Sequence, residues 1–385
     1  MSTPTRPSTA SRSAPRSVSP RGGERGGERD ISGRIASTIR ADVRAMSSYA
    51  VAKAEGMIKL DAMENPYALP PALREEVAAA AAGVPLNRYP DGPGDAVKAA
   101  LREALRLDSR SALMLGNGSD ELIQIVTTAV AARDACIVAP DPSFVMYRFY
   151  AALAHARYVG VALRDDLALD EAAMLDAIAR ERPALVWIAY PNNPTGNRFD
   201  RAAVERIVAA APGLVVVDEA YYAFAGDSFL PRVLDHPNLL VIRTVSKIGM
   251  AGLRLGYAVG HPAWVAELDK VRPPYNVGAL AQAVAPVLLR AEAVLAEQAG
   301  AIRAERQRLA KALGALPGVT VFPSETNFVV ARLADANAAF AALRDAGILV
   351  KNLHGWHPLL AQCLRITVGT PAENDAVLTV LERLA

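Results

Sequence analysis

Between residues 135 and 244 the chain alternates short apolar runs with stretches of helical periodicity, and this alternation constrains the fold more than any other feature. "ACIVAP", "ARYVGVAL", "ALVWIAY", "GLVVVDEAYY" and "LLVIRT" are continuous runs rich in Val, Ile and aromatics. Runs of that length without polar alternation suit strands buried on both faces, the condition of a parallel sheet. "DEAAMLDAIARER" and "RAAVERIVAAA" lie among them and carry helical periodicity. The pattern predicts an α/β fold with an open, mostly parallel central sheet flanked by helices.

The flanks read differently. "LPPALREEVAAAAAG" reads as a helix with Pro71 in its first turn and Gly83 closing it, and "GPGDAVKAALREAL" as another from near Asp95. Near residue 280 the character changes to one long helical stretch, "VAPVLLRAEAVLAEQAGAIRAERQRLAKALGAL", with room for a break. After it "VTVFPSETNFVVARL", "AAFAALRDAG", "ILVKNL" and "CLRITVG" describe a smaller α+β unit. The expected division is a tail at 1–34, an arm and part of a small domain at 35–85, a large domain at 86–280, and the rest of the small domain at 281–385. The tail is rich in Ser, Pro, Gly and Arg and nearly free of large apolar residues, so it is expected to be disordered.

Composition excludes some classes of function. Lys and Arg exceed Asp and Glu by only two charges over 385 residues, so there is no global basic field to draw nucleic acid. No apolar segment is long enough to cross a membrane, and none is expected to. The two cysteines, Cys136 and Cys363, form no CxxC zinc spacing and no disulfide framework, which fits a reducing, cytoplasmic setting.

In an open α/β sheet, ligands collect beyond the carboxyl ends of the strands. Three polar residues stand at such ends: Asp218 after "VVV", Asn193 in "VWIAYPNNPTGN", and Lys247 in "VIRTVSKIG". Each alone has a bland reading: a surface carboxylate, a turn residue and a solvated amine. "GNGSDELIQIV" is a Gly-rich turn opening a helix, whose first amides suit a phosphate but equally suit a cap through Ser119 or Asp120. Together, an amine, a carboxylate, an amide and a phosphate cradle are what pyridoxal phosphate requires.

Seven motifs in order extend this to a resemblance: "MENPY", "NRYPDG", "GNGSDE", "PNNPTG", "VDEAYYAF", "RTVSKIGMAGLRLGY" and "CLRITVGT". From about Ile35 to the C-terminus the chain resembles the fold-type I pyridoxal-phosphate aminotransferases, and within them the histidinol-phosphate branch. The resemblance implies that Lys247 bonds the cofactor's aldehyde and carries protons, and that Asp218 keeps the pyridine nitrogen charged. It places Asn193 and Tyr221 on the ring hydroxyl and Phe144 against the ring face. It assigns the phosphate to Gly118, Ser119, Asp120, Ser246 and Arg254. Tyr89 would reach the cofactor phosphate of a second subunit, making the protein a homodimer with shared active sites. Arg365 and Tyr49 would hold the substrate's anionic group, with Lys351 where a second arginine often stands.

The implied reaction exchanges an amino group between glutamate and 2-oxoglutarate on one side and imidazole-acetol phosphate and L-histidinol phosphate on the other. Alternatives under the same resemblance are an aromatic, phenylalanine-type aminotransferase and a threonine-phosphate decarboxylase. "DAMENP" departs from the family's "NANENP", with Asp61 and Met63 in place of asparagines.

Overall fold

A computed structural model describes residues 24–48, 52–132 and 134–384. Among the described residues, those up to 52 form one compact unit and those from 53 on another. The first contains a helix, Glu24–Thr38, and a short one, Ala41–Ala45. Its isoleucines at 31, 35 and 39 are exposed. Of the stretch expected to be disordered, residues 24–34 are helical and residues 1–23 lie outside the described residues.

In the second unit, strand β1 (Ile58–Lys59) precedes seven strands of one sheet. These are β2 (Ala112–Gly116), β3 (Cys136–Asp141), β4 (Arg157–Ala162), β5 (Leu185–Ala189), β6 (Leu214–Asp218), β7 (Leu239–Thr244) and β8 (Gly256–Gly260). Later come β9 (Thr320–Val321), β10 (Phe328–Arg332), β11 (Ile348–Leu349), β12 (Lys351–Asn352) and β13 (Cys363–Thr367). The large sheet runs β2-β8-β7-β6-β5-β3-β4. All its pairings are parallel except those of β8, which lies antiparallel to both β7 and β2.

All five runs singled out in the sequence are strands of this sheet. β2 and β8 were not singled out, because "ALMLG" and "GYAVG" are short and bounded or opened by glycine. The central strands are buried on both faces, as continuous apolar runs require. In β6, Val215 and Val217 enter one core while Leu214 and Val216 enter the other. Trp187 and Ala189 of β5 side with the latter pair, and Val186 and Ile188 with the former.

The long helical stretch does break. Helices Ala279–Arg290 and Glu292–Gly314 meet at Ala291, whose ψ of 40° leaves the helical region, and their axes bend by 77°. The first packs Leu288 and Leu289 into the large core, and the second packs Ile302, Leu309 and Leu313 into a smaller one. Among the described residues no single helix is long and apolar enough to cross a membrane. The smaller core lies against the sheet β12-β13-β10-β9 and also takes Leu60 and Met63 from near β1. β1 pairs in parallel with β11, which ties the two ends of the unit together.

Candidate active site

A cleft of about 570 Å³ opens beyond the carboxyl ends of β5, β6 and β7. Register sets its floor: Ala189 ends β5 opposite Asp218, which ends β6 and pairs in turn with Ile242 of β7. Ala189, Asp218 and Thr244 consequently face one space with Phe144, Asn193, Ala220, Tyr221 and Lys247.

Asp218 is almost fully buried. Its Oδ2 accepts a hydrogen bond from the Tyr147 hydroxyl at 2.7 Å and its Oδ1 one from the Ala220 amide at 3.1 Å. Burial pushes its carboxyl up to about 7, against the pull of those two bonds. A buried carboxylate held this way is stabilised by an adjacent cation, such as a protonated ring nitrogen.

Lys247 sits in a 3₁₀ turn, Ser246–Ile248, directly after β7. Its Nζ donates to the Ala62 carbonyl at 3.0 Å. Burial, and next the charge of Arg365, bring its amine down to about 8. An amine in that range has a substantial neutral fraction near neutral pH and can act as nucleophile and base.

The anion end is built from two elements. The helix Gly118–Val130 starts directly against the cleft, presenting its first amides. Arg254 reaches the same place: Nη1 donates to Ser246 Oγ at 3.3 Å and Nη2 lies 3.7 Å from Asp120 Oδ2. Asp120 thus offers an anion its backbone N–H, while its carboxylate balances Arg254. Two glycines let these parts approach one another closely. A Cβ on Gly118 would stand 2.8 Å from Arg254 Nη2, and one on Gly256 would stand 2.6 Å from the Gly118 carbonyl carbon. Gly249 has φ of 104°, and so needs glycine, but Gly252 meets nothing within 4 Å.

The "PNNPTG" turn divides its two asparagines. Asn192 is spent on the turn itself, bonding the Pro142 carbonyl, Thr195 and Ser143. Asn193 faces the cleft, and its Oδ1 accepts from Arg365 Nη1 at 2.7 Å. Arg365 is buried on β13, with its guanidinium 5.3 Å from the Phe328 ring centroid, and Tyr221 packs edge-on against that same ring. Lys351 is the direct cross-strand partner of Arg365, so both side chains leave the same face of the sheet. Its amine lies 4.9 Å from the Trp356 ring centroid, and burial followed by the Arg365 charge depresses its pKa.

The "DAM" departure is explained by backbone contacts. The Asp61 carbonyl accepts from Arg365 Nη2 at 3.0 Å, and Ala62 serves Lys247. The Met63 amide donates to Thr367 Oγ1 at 3.0 Å, and its carbonyl accepts from Asn327 at 2.8 Å. These bonds survive any change of side chain, although Met63 holds φ of 54°, which asparagine tolerates better.

Gly118, Arg365 and Lys351 do not themselves line the cleft: Gly118 precedes Ser119, and Arg365 meets the cleft through Asn193 with Lys351 as its cross-strand partner. Two other expected residues stand farther apart. Tyr89 does not line the cleft; it is 81% exposed and stacks on Tyr275 at 4.7 Å. Tyr49 lies outside the described residues. Tyr147 and Thr244 line the cleft without having been singled out, and Met63, noted only as a departure from the family pattern, lines it as well. Tyr147 had one signal: it stands three residues after Phe144, in the first turn of the helix Val145–Leu153 that Phe144 caps.

The family model for aminotransferase class I and II matches residues 55–381, and the chain belongs to that family. Similar proteins within it include histidinol-phosphate aminotransferases. The chain is 54% identical to histidinol-phosphate aminotransferase 2 of Bordetella bronchiseptica over 347 residues, 89% of this chain and 95% of that one. It is also 54% identical to the histidinol-phosphate aminotransferase of Chromobacterium violaceum, covering 90% and 97% of the two chains. The solved histidinol-phosphate aminotransferase of Sinorhizobium meliloti, in complex with pyridoxal-5'-phosphate, superposes with a TM-score of 0.80 at 27% identity, over 91% of this chain and 99% of that one. The fold is therefore fold-type I.

Proposed function

We propose that this chain is a pyridoxal-phosphate-dependent aminotransferase of histidine biosynthesis. It transfers an amino group from L-glutamate to imidazole-acetol phosphate, giving L-histidinol phosphate and 2-oxoglutarate. One observation carries the reading: the amine of Lys247, the carboxyl of Asp218, the amide of Asn193 and the Ser246–Arg254 cradle line a single cleft. That set suits the cofactor end to end, and the phosphate would lie where the first amides of the helix Gly118–Val130, Ser246 and Arg254 converge.

When bound, pyridoxal phosphate supplies an aldehyde for the substrate's amine and a ring that takes up negative charge. The protein supplies the rest. Ser119, Ser246, Arg254 and the amides of residues 118–120 would hold the phosphate, to which a guanidinium is well suited. Asp218 would face the ring nitrogen as a carboxylate, and Asn193 and Tyr221 would donate to the ring hydroxyl. Phe144 covers the ring face. Lys247 Nζ, once neutral, takes the proton from the substrate's amino-bearing carbon and delivers it on the far side of the transfer.

Arg365 and Lys351 hold the substrate's anionic group, a carboxylate in glutamate and a phosphate in histidinol phosphate. Arg365 binds as a fork and Lys351 as a point charge, so the pair accepts either shape. Arg365 also orients Asn193, which couples substrate binding to the cofactor's ring. Tyr89, exposed and stacked on the exposed Tyr275, belongs to a two-fold interface with a second copy and completes that copy's phosphate site. Both cysteines are free and buried, as suits a cytoplasmic enzyme.

The test is steady-state turnover by the purified enzyme with 2-oxoglutarate and L-histidinol phosphate, against L-phenylalanine at the same concentration. Glutamate should form from histidinol phosphate with the larger kcat/KM, in a ping-pong pattern. A larger kcat/KM for phenylalanine, or carbon dioxide without glutamate from a phosphorylated amino acid, would overturn the substrate assignment.

A further inference from the structure

We propose that Tyr147 is a positioning residue for the reaction: its phenol, clamped between aromatic neighbours, locks the Asp218 carboxylate in the orientation and charge that a cationic ring nitrogen requires. The inference rests on the function proposed above and adds a residue to it.

Tyr147 has no exposed surface, and a buried phenol must find an acceptor. It finds Asp218 Oδ2 at 2.7 Å, the short range of a charge-assisted bond. Its ring is stacked on Trp187 with centroids 4.7 Å apart and planes 5° from parallel, and Phe144 meets it edge-on at 5.7 Å. The hydroxyl therefore has little freedom to swing away. With the Ala220 amide on Oδ1, both carboxylate oxygens are held and the group cannot rotate. Three elements share the arrangement: β5 carries Trp187, the helix Val145–Leu153 carries Tyr147, and β6 ends in Asp218.

The charged and titratable groups around this pair do not substitute for it. Asp120 from the helix Gly118–Val130 and Glu219 from the end of β6 both favour a proton on Asp218, while Tyr147 and the Ala220 amide oppose it. Tyr158 of β4 and Tyr221 face Tyr147, and together with burial and Asp218 they keep its phenol protonated. Lys247 and Arg254 line the same cleft. Tyr147 is thus a permanent donor whose single hydrogen bond biases Asp218 towards the ionised form.

Tyr147→Phe keeps the ring and its stack on Trp187 and removes only the donor. In the cofactor-loaded enzyme we expect the cofactor's dissociation constant to rise about ten- to a hundredfold, the range for a lost hydrogen bond to a charged group. kcat should fall by a similar factor, with KM for glutamate changing less than about twofold. Placing 4-aminophenylalanine at 147 restores an N–H donor and should recover most of both losses. If the parent holds cofactor and Y147F holds it equally across pH 6 to 9, or if the amino variant is no better than phenylalanine, the role of Tyr147 is refuted. A cofactor-free readout separates this from failure of the functional reading. The infrared carbonyl band of protonated Asp218, assigned by its loss in D218N, should titrate near pH 7 in the parent and about one unit higher or more in Y147F. No shift in that band refutes the proposal even if the protein proves to be another enzyme.

Discussion

Lys247 and Asp218 are opposite charges that burial drives towards the same pH range, one down to about 8 and the other up to about 7. Before cofactor is added, labelling of Lys247 by an amine-directed reagent should rise through about pH 8, and disappear in Lys247→Arg. Turnover in that variant should fall by at least about 10²- to 10⁴-fold, the usual worth of a positioned acid–base group. For Asp218 the sign follows from its raised pKa. Between about pH 4 and 7 the folded chain binds more protons than the unfolded one, so this group's contribution weakens the fold as pH rises. Asp218→Asn should therefore stabilise the cofactor-free protein above pH 7, by up to about 4 kcal/mol, with the difference vanishing below about pH 4. The same variant should bind cofactor more weakly, which denaturation curves with and without it would reveal. Arg365→Lys keeps a charge but cannot reach both Asn193 and the Asp61 carbonyl. It should lower kcat/KM for both substrates by roughly 10²-fold, the scale of losing hydrogen bonds to a buried charge.

At the scale of elements, the glycines of the 243–257 loop separate into two kinds. Gly256→Ala would drive a Cβ into the backbone at Gly118 and Ser119, which cannot give way, and should cost roughly 1–3 kcal/mol as overpacking. Gly252→Ala meets nothing and should be neutral or stabilise by about 0.4–1 kcal/mol, through the unfolded chain. Thermal unfolding of the two variants side by side checks both signs. The same loop shows what sequence alone conveys. Residues ending apolar runs were legible as site candidates, because a strand buried on both faces can only present a polar group where it ends. β8 was not legible, since a five-residue strand with a glycine at each end carries no run to notice. Nor were the contacts of residues 61–63, which use main-chain groups that every residue possesses. Tyr147 escaped notice because its meaning lies in a partner 71 positions away.

At the scale of the whole molecule, the cleft draws on parts far apart in the chain: the backbone near Ala62, the strand ends of the large sheet, and Arg365 from the smaller one. Arg365 joins these through Asn193, so a substrate that engages it acts on both sheets at once. If Tyr89 completes the site of a second copy, two inactive variants should complement each other. Mixing unfolded Lys247→Ala and Tyr89→Ala chains and refolding them together should restore turnover that neither homodimer shows, because the mixed dimer holds one intact site. The central claim is that one cleft takes an amino group from a phosphorylated amino alcohol and gives it to an oxo acid. The most direct test is the half-reaction: L-histidinol phosphate added to cofactor-loaded enzyme without any oxo acid, followed by the visible absorption of the bound cofactor. The band should be lost on addition and return with 2-oxoglutarate. A band that stays unchanged with histidinol phosphate, while an aromatic amino acid removes it, would contradict the account.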